Sequence, residues 1–131
     1  MITVAVIGAG KIGEAVARSI SKSSEVEKVL TTKRSPATKG AQSEKISVLH
    51  DNKKAARESD IVIVSVKAGD AKHVFGEIAE FVHDKIVISL MAAVSVKKIE
   101  AAIPGAKVVR AMPNIAATIG EAMTAYTPGR D

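Results

Sequence analysis

Gly8, Gly10 and Gly13 form a G-x-G-x-x-G string, and the residues on either side of it give the string a chemical meaning. Ahead of it runs an unbroken apolar, β-favouring stretch, residues 4–7 with Ile2 before them. Behind it the period changes: Ile12, Ala15, Val16, Ser19 and Ile20 recur at helical spacing, with Lys11, Glu14 and Arg18 between them. Strand, glycine turn and helix together are the setting in which this string holds a dinucleotide. Gly8 permits a tight turn off the strand, Gly10 lets a pyrophosphate lie against bare backbone, and Gly13 lets the helix approach the sheet. Phosphates then meet the helix N-terminus, where unpaired N–H groups and the positive end of the dipole favour an anion. Gly8, Ala9, Gly10, Lys11, Ile12 and Gly13 are therefore the first candidate cofactor-binding residues. The plainer alternative is an ordinary glycine-rich turn between a strand and a helix.

A dinucleotide domain chooses its cofactor at the end of its second strand. NAD sites usually place Asp or Glu there, about 20 residues past the glycines, to bind the ribose 2′-hydroxyl. Here the segment reads Thr31-Thr32-Lys33-Arg34-Ser35, without an acid. Arg grips a 2′-phosphate in a fork, Lys adds a point charge, and the hydroxyls donate hydrogen bonds. NADP(H) is therefore expected over NAD(H), with Lys33, Arg34 and Ser35 as its contacts. A solvated basic turn ahead of Pro36 is the other reading.

These residues need a frame to hold them. Residues 26–31 read as a second strand, 35–44 as a polar loop and 46–49 as a short strand. Asp51-Asn52 offers a cap for a helix over 53–58. Residues 61–66 (IVIVSV) and 86–91 (IVISLM) are apolar on both faces, as central parallel strands covered by helices are. Asp70 is the expected N-cap of a helix with Val74, Ile78, Phe81 and Val82 on its apolar face. Ser95 is expected to cap another carrying Val96, Ile99 and Ile103, ended by Pro104-Gly105. Further strands are expected at 108–111 and 122–126. This alternation predicts a doubly wound, mainly parallel α/β sheet with helices on both faces. Its strands point their carboxyl ends to one edge, where ligands bind.

A chain of 131 residues is one domain's worth, and 47% apolar with 25% charged residues suits a globular protein with a real core. No apolar run reaches the about 18 residues that cross a membrane, and no signal peptide is expected, since the apolar residues at the start already form the first strand. There is no cysteine, which removes disulfides and thiolate metal sites. His50, His73 and His83 share no metal-ligand spacing, so no metal is expected. A net charge of +5 raises nucleic acid as a partner, but the cations are spread along the chain and Phe75, Phe81 and Tyr126 are too few for a base-stacking platform. Neither nucleic acid nor membrane is expected, and the cytoplasm is the default location.

Three later segments stand in order with the glycine turn and Lys33-Arg34-Ser35: Val66-Lys67, the run from Ser89 to Ser95 (SLMAAVS), and Val109-Arg110-Ala111-Met112-Pro113-Asn114. Together they closely resemble the N-terminal half of pyrroline-5-carboxylate reductase, over essentially the whole chain, and VVRAMPN is the most specific piece. The resemblance implies a Rossmann domain that serves NAD(P)H-dependent reduction of a cyclic imine, 1-pyrroline-5-carboxylate, to proline. It implies a small-molecule imine as substrate. It places Asn52 at the adenosine end, Val66, Lys67, Ala68, Met91 and Ala92 under the diphosphate and nicotinamide ribose, and Met112, Pro113 and Asn114 near the nicotinamide and imine. Plainer roles stand beside these: Asn52 as a helix cap, Lys67 as a solvated strand-end lysine, Met112 as core packing.

The chain departs from the family pattern at Ala68, Ala93, Ile115-Ala116 and Ala122, positions that shape backbone more than chemistry. The family continues into a helical C-terminal domain that forms the dimer and much of the substrate pocket, and this chain ends about where it would begin. The resemblance therefore assigns the whole of residues 1–131 to the cofactor domain, a homo-oligomer only where the helical domain is present, and no catalytic residue to this half. Another Rossmann-type reductase or dehydrogenase, or an NADP-binding module without turnover, are the alternatives.

Overall fold

The computed structural model describes residues 2–8, 11–32, 45–91 and 94–111, with the side chain of Lys11 left out. Strand β1 (Ile2–Ile7) leads to helix α1 (Lys11–Ser21), then β2 (Val26–Thr32), β3 (Ile46–Leu49) and α2 (Asn52–Glu58). There follow β4 (Ile61–Val64), α3 (Ala68–Ile78), β5 (Ile86–Ser89), α4 (Val96–Ala102) and β6 (Lys107–Arg110). The strands form one six-stranded sheet in the order β3-β2-β1-β4-β5-β6. Every pairing is parallel. This is the doubly wound Rossmann arrangement that the alternation of elements predicts. The strand expected at 122–126 lies outside the described residues.

Two-residue periodicity sorts each strand between two cores. Val4 and Val6 of β1 join Ile61 and Ile63 of β4 and Val16, Ala17 and Ile20 of α1. Ala5 and Ile7 join Val62 and Val64 and the buried faces of α2, α3 and α4. Every residue of β4 is fully buried, which explains why its sequence is apolar without alternation. Each such Val or Ile contributes roughly 1.5–3 kcal/mol relative to exposure.

The helices differ in detail from the sequence expectation. On α1 the buried stripe is Gly13, Val16, Ala17 and Ile20, while Ile12, Ala15 and Ser19 face outward. The closest point to the sheet is occupied by a glycine, which a count of apolar side chains passes over. Phe75, almost fully buried, anchors α3 beside Val74 and Ile78, and Phe81 is only half-buried. Asp70 sits inside the first turn of α3 instead of capping it; Lys67 is the N-cap residue and makes no side-chain cap bond. Strands β4 and β5 end at Val64 and Ser89, two residues before the expected ends, because the chain turns there toward the helices. Ser95 does cap α4, accepting the N–H of Lys98 at 3.3 Å.

At the amino edge of the sheet, Lys85 Nζ donates to the carbonyls of Ala56 at 2.7 Å and Arg57 at 3.2 Å, closing the last turn of α2. Burial lowers the pKa of this ammonium, and the Asp60 carboxylate partly offsets the shift.

Candidate nucleotide-binding site

Strand order reverses between β1 and β4: the chain runs outward from β1 to β3 and then crosses back to β4. The carboxyl ends of these two neighbours are where an open α/β sheet forms its binding crevice. Gly8, the first residue past β1, has φ +85°, a conformation that side-chain-bearing residues rarely adopt. A Cβ there would lie 2.5 Å from both the carbonyl oxygen of Ser65 and Cγ1 of Val66, at the end of β4. The Ser65 N–H donates to the Ile7 carbonyl at 2.8 Å, so the two strand ends are tied directly together. Gly13 is equally constrained: its Cβ would come within 2.7 Å of the Gly8 carbonyl oxygen. Gly13 thus lets the first turn of α1 close onto the turn itself. Both glycines are therefore places where the backbone packs too closely for a side chain, and the helix N-terminus they bring to the end of β1 is of the kind that binds an anion.

Ile12 stands on this first turn and is 60% exposed, a large apolar side chain left in solvent. Helix α3 also begins on this edge, after Lys67, so α1 and α3 start beside neighbouring strands. Their unpaired N–H groups add partial positive charge to the crevice. Lys67 and Ala68 are exposed there and Val66 is half-buried.

The end of β2 corrects one expectation. Thr31 and Thr32 are buried, because β2 lies between β1 and β3. Thr31 Oγ1 donates to the Ser47 carbonyl at 3.4 Å, and Thr32 Oγ1 accepts the Gly8 N–H at 3.2 Å. These two hydroxyls therefore serve the sheet and the turn. The tie between Thr32 and Gly8 escaped the sequence reading, although a hydroxyl at the last residue of the strand beside the glycine turn is a usable signal for it.

Asp51 caps α2, accepting the N–H groups of Lys53 at 2.9 Å and Lys54 at 3.3 Å. Asn52 is therefore the first helical residue and not the cap. Its Nδ2 donates to Glu77 Oε1 at 3.2 Å, linking α2 to α3, and the same oxygen lies 3.5 Å from His73 Nε2. Met91 is buried in the core shared with α3 and α4, so its side chain is taken up in packing. Its N–H donates at 3.2 Å to the hydroxyl of the fully buried Ser89, which bends the chain off β5. Ala9, Gly10, Lys33, Arg34, Ser35, Ala92, Met112, Pro113 and Asn114 lie outside the described residues, as does the Lys11 side chain. Among the described residues no group of three or more His, Asp or Glu is placed to hold a metal ion, and no helix is long and apolar enough to cross a membrane.

Residues 3–93 match the family described as NADP oxidoreductase, coenzyme F420-dependent. The chain belongs to that family. The matched span takes in the glycine turn, the end of β2, Asn52 and the crossings at Val66-Lys67-Ala68 and Met91-Ala92. A pyrroline-5-carboxylate reductase of Methanosarcina acetivorans is 38% identical over 131 residues, covering 95% of this chain and 48% of that protein. One of Corynebacterium melassecola is 34% identical over 138 residues, covering 99% and 51%. The crystal structure of Plasmodium falciparum pyrroline carboxylate reductase with NADP bound aligns at a TM-score of 0.74 and 25% identity, covering 91% of this chain and 45% of that one. Within this oxidoreductase family the chain thus resembles pyrroline-5-carboxylate reductases over nearly its whole length. It spans about half the length of the relatives it matches.

Proposed function

We propose that this chain is the cofactor-binding half of an NADP(H)-dependent reductase that converts 1-pyrroline-5-carboxylate to proline, the closing step of proline biosynthesis. The observation that carries the reading is the close packing at Gly8 and Gly13, which sets the N-terminus of α1 at the reversal of strand order. The likeness to pyrroline-5-carboxylate reductases narrows the substrate to a small cyclic imine. The domain reading covers residues 1–131, with a cytoplasmic setting and with oligomerisation supplied by a helical half. Nucleic acid has no part in it.

In this reading the turn residues Gly8, Ala9, Gly10, Lys11, Ile12 and Gly13 hold the diphosphate. Lys33, Arg34 and Ser35 hold the 2′-phosphate, and the absence of an acid at the end of β2 favours NADP(H) over NAD(H). Asn52 sits at the adenosine end; its amide nitrogen is engaged by Glu77, which leaves its carbonyl oxygen to accept from the nucleotide. Val66, Lys67 and Ala68, with Met91 and Ala92, line the middle of the crevice. Met112, Pro113 and Asn114 approach the nicotinamide and the imine.

The reaction adds a hydride to the imine carbon and a proton to its nitrogen. Reduced nicotinamide supplies the hydride when bound. The chain's own contribution is orientation and electrostatics: two helix N-termini and a glycine cradle hold an anionic cofactor in one pose. Ile12 and Val66 bring apolar surface to the crevice, which limits water there. No proton donor is assigned to this half.

The test is a chimera in which this chain replaces the matching half of the Methanosarcina acetivorans relative. Consumption of NADPH that depends on added pyrroline-5-carboxylate, with proline as product, is the expected result. A folded chimera that binds NADPH and yet leaves pyrroline-5-carboxylate unreduced, although its helical half comes from an enzyme that carries that name, rules the assignment out.

A further inference from the structure

We infer that Thr32 is a positioning residue for nucleotide binding, its buried hydroxyl fixing the phosphate turn against the strand that leads into Lys33-Arg34-Ser35. The inference rests on the nucleotide-binding reading above.

Ile7 is the last residue of β1 in register with both neighbours, opposite Thr32 of β2 and Val64 of β4. One residue further on, Gly8 has left the extended conformation, and its N–H meets a side-chain oxygen, Thr32 Oγ1 at 3.2 Å. The regular ladder has ended at that point, so the hydroxyl defines where the turn departs on the β2 side. On the β4 side the same glycine is hemmed in by Ser65 and Val66. Gly8 is thus clamped between the two strand ends that flank β1.

The clamp is stiff. Thr32 is 3% exposed, and a β-branched side chain has few rotamers to choose from. Its main chain continues at once into Lys33. One residue therefore holds the diphosphate turn through its side chain and launches the 2′-phosphate segment through its backbone. A displaced turn weakens the grip on the diphosphate, which NADPH and NADH share, whereas loss of Lys33 or Arg34 weakens NADPH alone.

If Thr32 merely filled space, valine would replace it without loss, since it keeps the shape and removes a polar group from a buried position. Positioning through the hydroxyl gives the opposite result. In calorimetric titrations well below the melting temperature, Thr32→Val is expected to bind NADPH and NADH each about tenfold more weakly, the loss that follows when the free energy of this one internal hydrogen bond goes into holding the turn in its binding geometry. The preference between the two nucleotides stays as in the parent. Thr32→Ser, which keeps the oxygen, is expected to recover binding to within about twofold. Parent-like affinity in Thr32→Val overturns the inference, and so does a loss confined to NADPH. A parent chain that binds neither nucleotide overturns the underlying reading, and the inference with it. Should Thr32→Val not fold, the Gly8 amide in the parent decides: slow hydrogen exchange supports the clamp, and exchange at the rate of a free peptide overturns it.

Discussion

Gly8→Ala is expected to destabilise the domain by about 3 kcal/mol, from left-handed backbone strain and overpacking together. The backbone sits at φ +85°, and the new methyl would lie 2.5 Å from a main-chain oxygen of Ser65, which has no rotamer through which to move aside. The strand end must shift, and with it the approach of β1 to β4 at the crevice. Urea denaturation should show a lower midpoint with an unchanged slope, and nucleotide binding should fall together with stability. Gly76→Ala is the control. It lies on the exposed face of α3, where a Cβ meets nothing within 4 Å, and alanine there should raise stability by up to about 1 kcal/mol. Equal, small effects at both positions would contradict the cradle.

Phe75→Ala is expected to cost about 3–5 kcal/mol, the range for emptying a buried aromatic site. Phe75 is 2% exposed. It packs in the core that joins α3 to Ile99 and Ile103, on the helical layer opposite α1. Phe75 lies about two turns along α3 from the end that faces the crevice, so the consequences should separate. Denaturation should come at much lower urea, while the affinity for NADPH of the molecules still folded at low temperature should stay within about twofold of the parent. Loss of affinity out of proportion to stability would mean that the body of α3, and not its N-terminus alone, positions the site.

The sheet was legible because its strands are written twice, once as apolar composition and once as position between helices. Residues 61–64 and 86–89 are apolar on both faces, and burial on both faces is what the structure gives them. The glycine turn was legible for a different reason: a residue with no Cβ stands where any Cβ would collide. What sequence could not supply was the direction of particular side chains. Thr31 and Thr32 read as donors for a phosphate, yet the sheet turns both inward and spends their hydroxyls on Ser47 and Gly8. Asp51 and Asn52 are both good caps, and only the backbone decides that Asp51 takes the role. Lys67 at the N-cap of α3 makes no cap bond of its own, so nothing in its side chain announces the helix start. Phe75 is not marked by the pattern, because Val74, Ile78, Phe81 and Val82 at helical spacing already describe a plausible face without it.

A thermal melt of this chain titrated with NADPH and, side by side, with NADH tests the nucleotide site most directly. A ligand that binds only the folded state stabilises it by about 2.7 kcal/mol at a concentration one-hundred-fold above Kd. For a domain of this size that is a rise of roughly 10 °C. The melting temperature is expected to rise with NADPH concentration, and to rise much less with NADH at equal concentration. A melting temperature that moves with neither nucleotide, at any concentration reached, would contradict the claim that the Gly8–Gly13 cradle is a dinucleotide site.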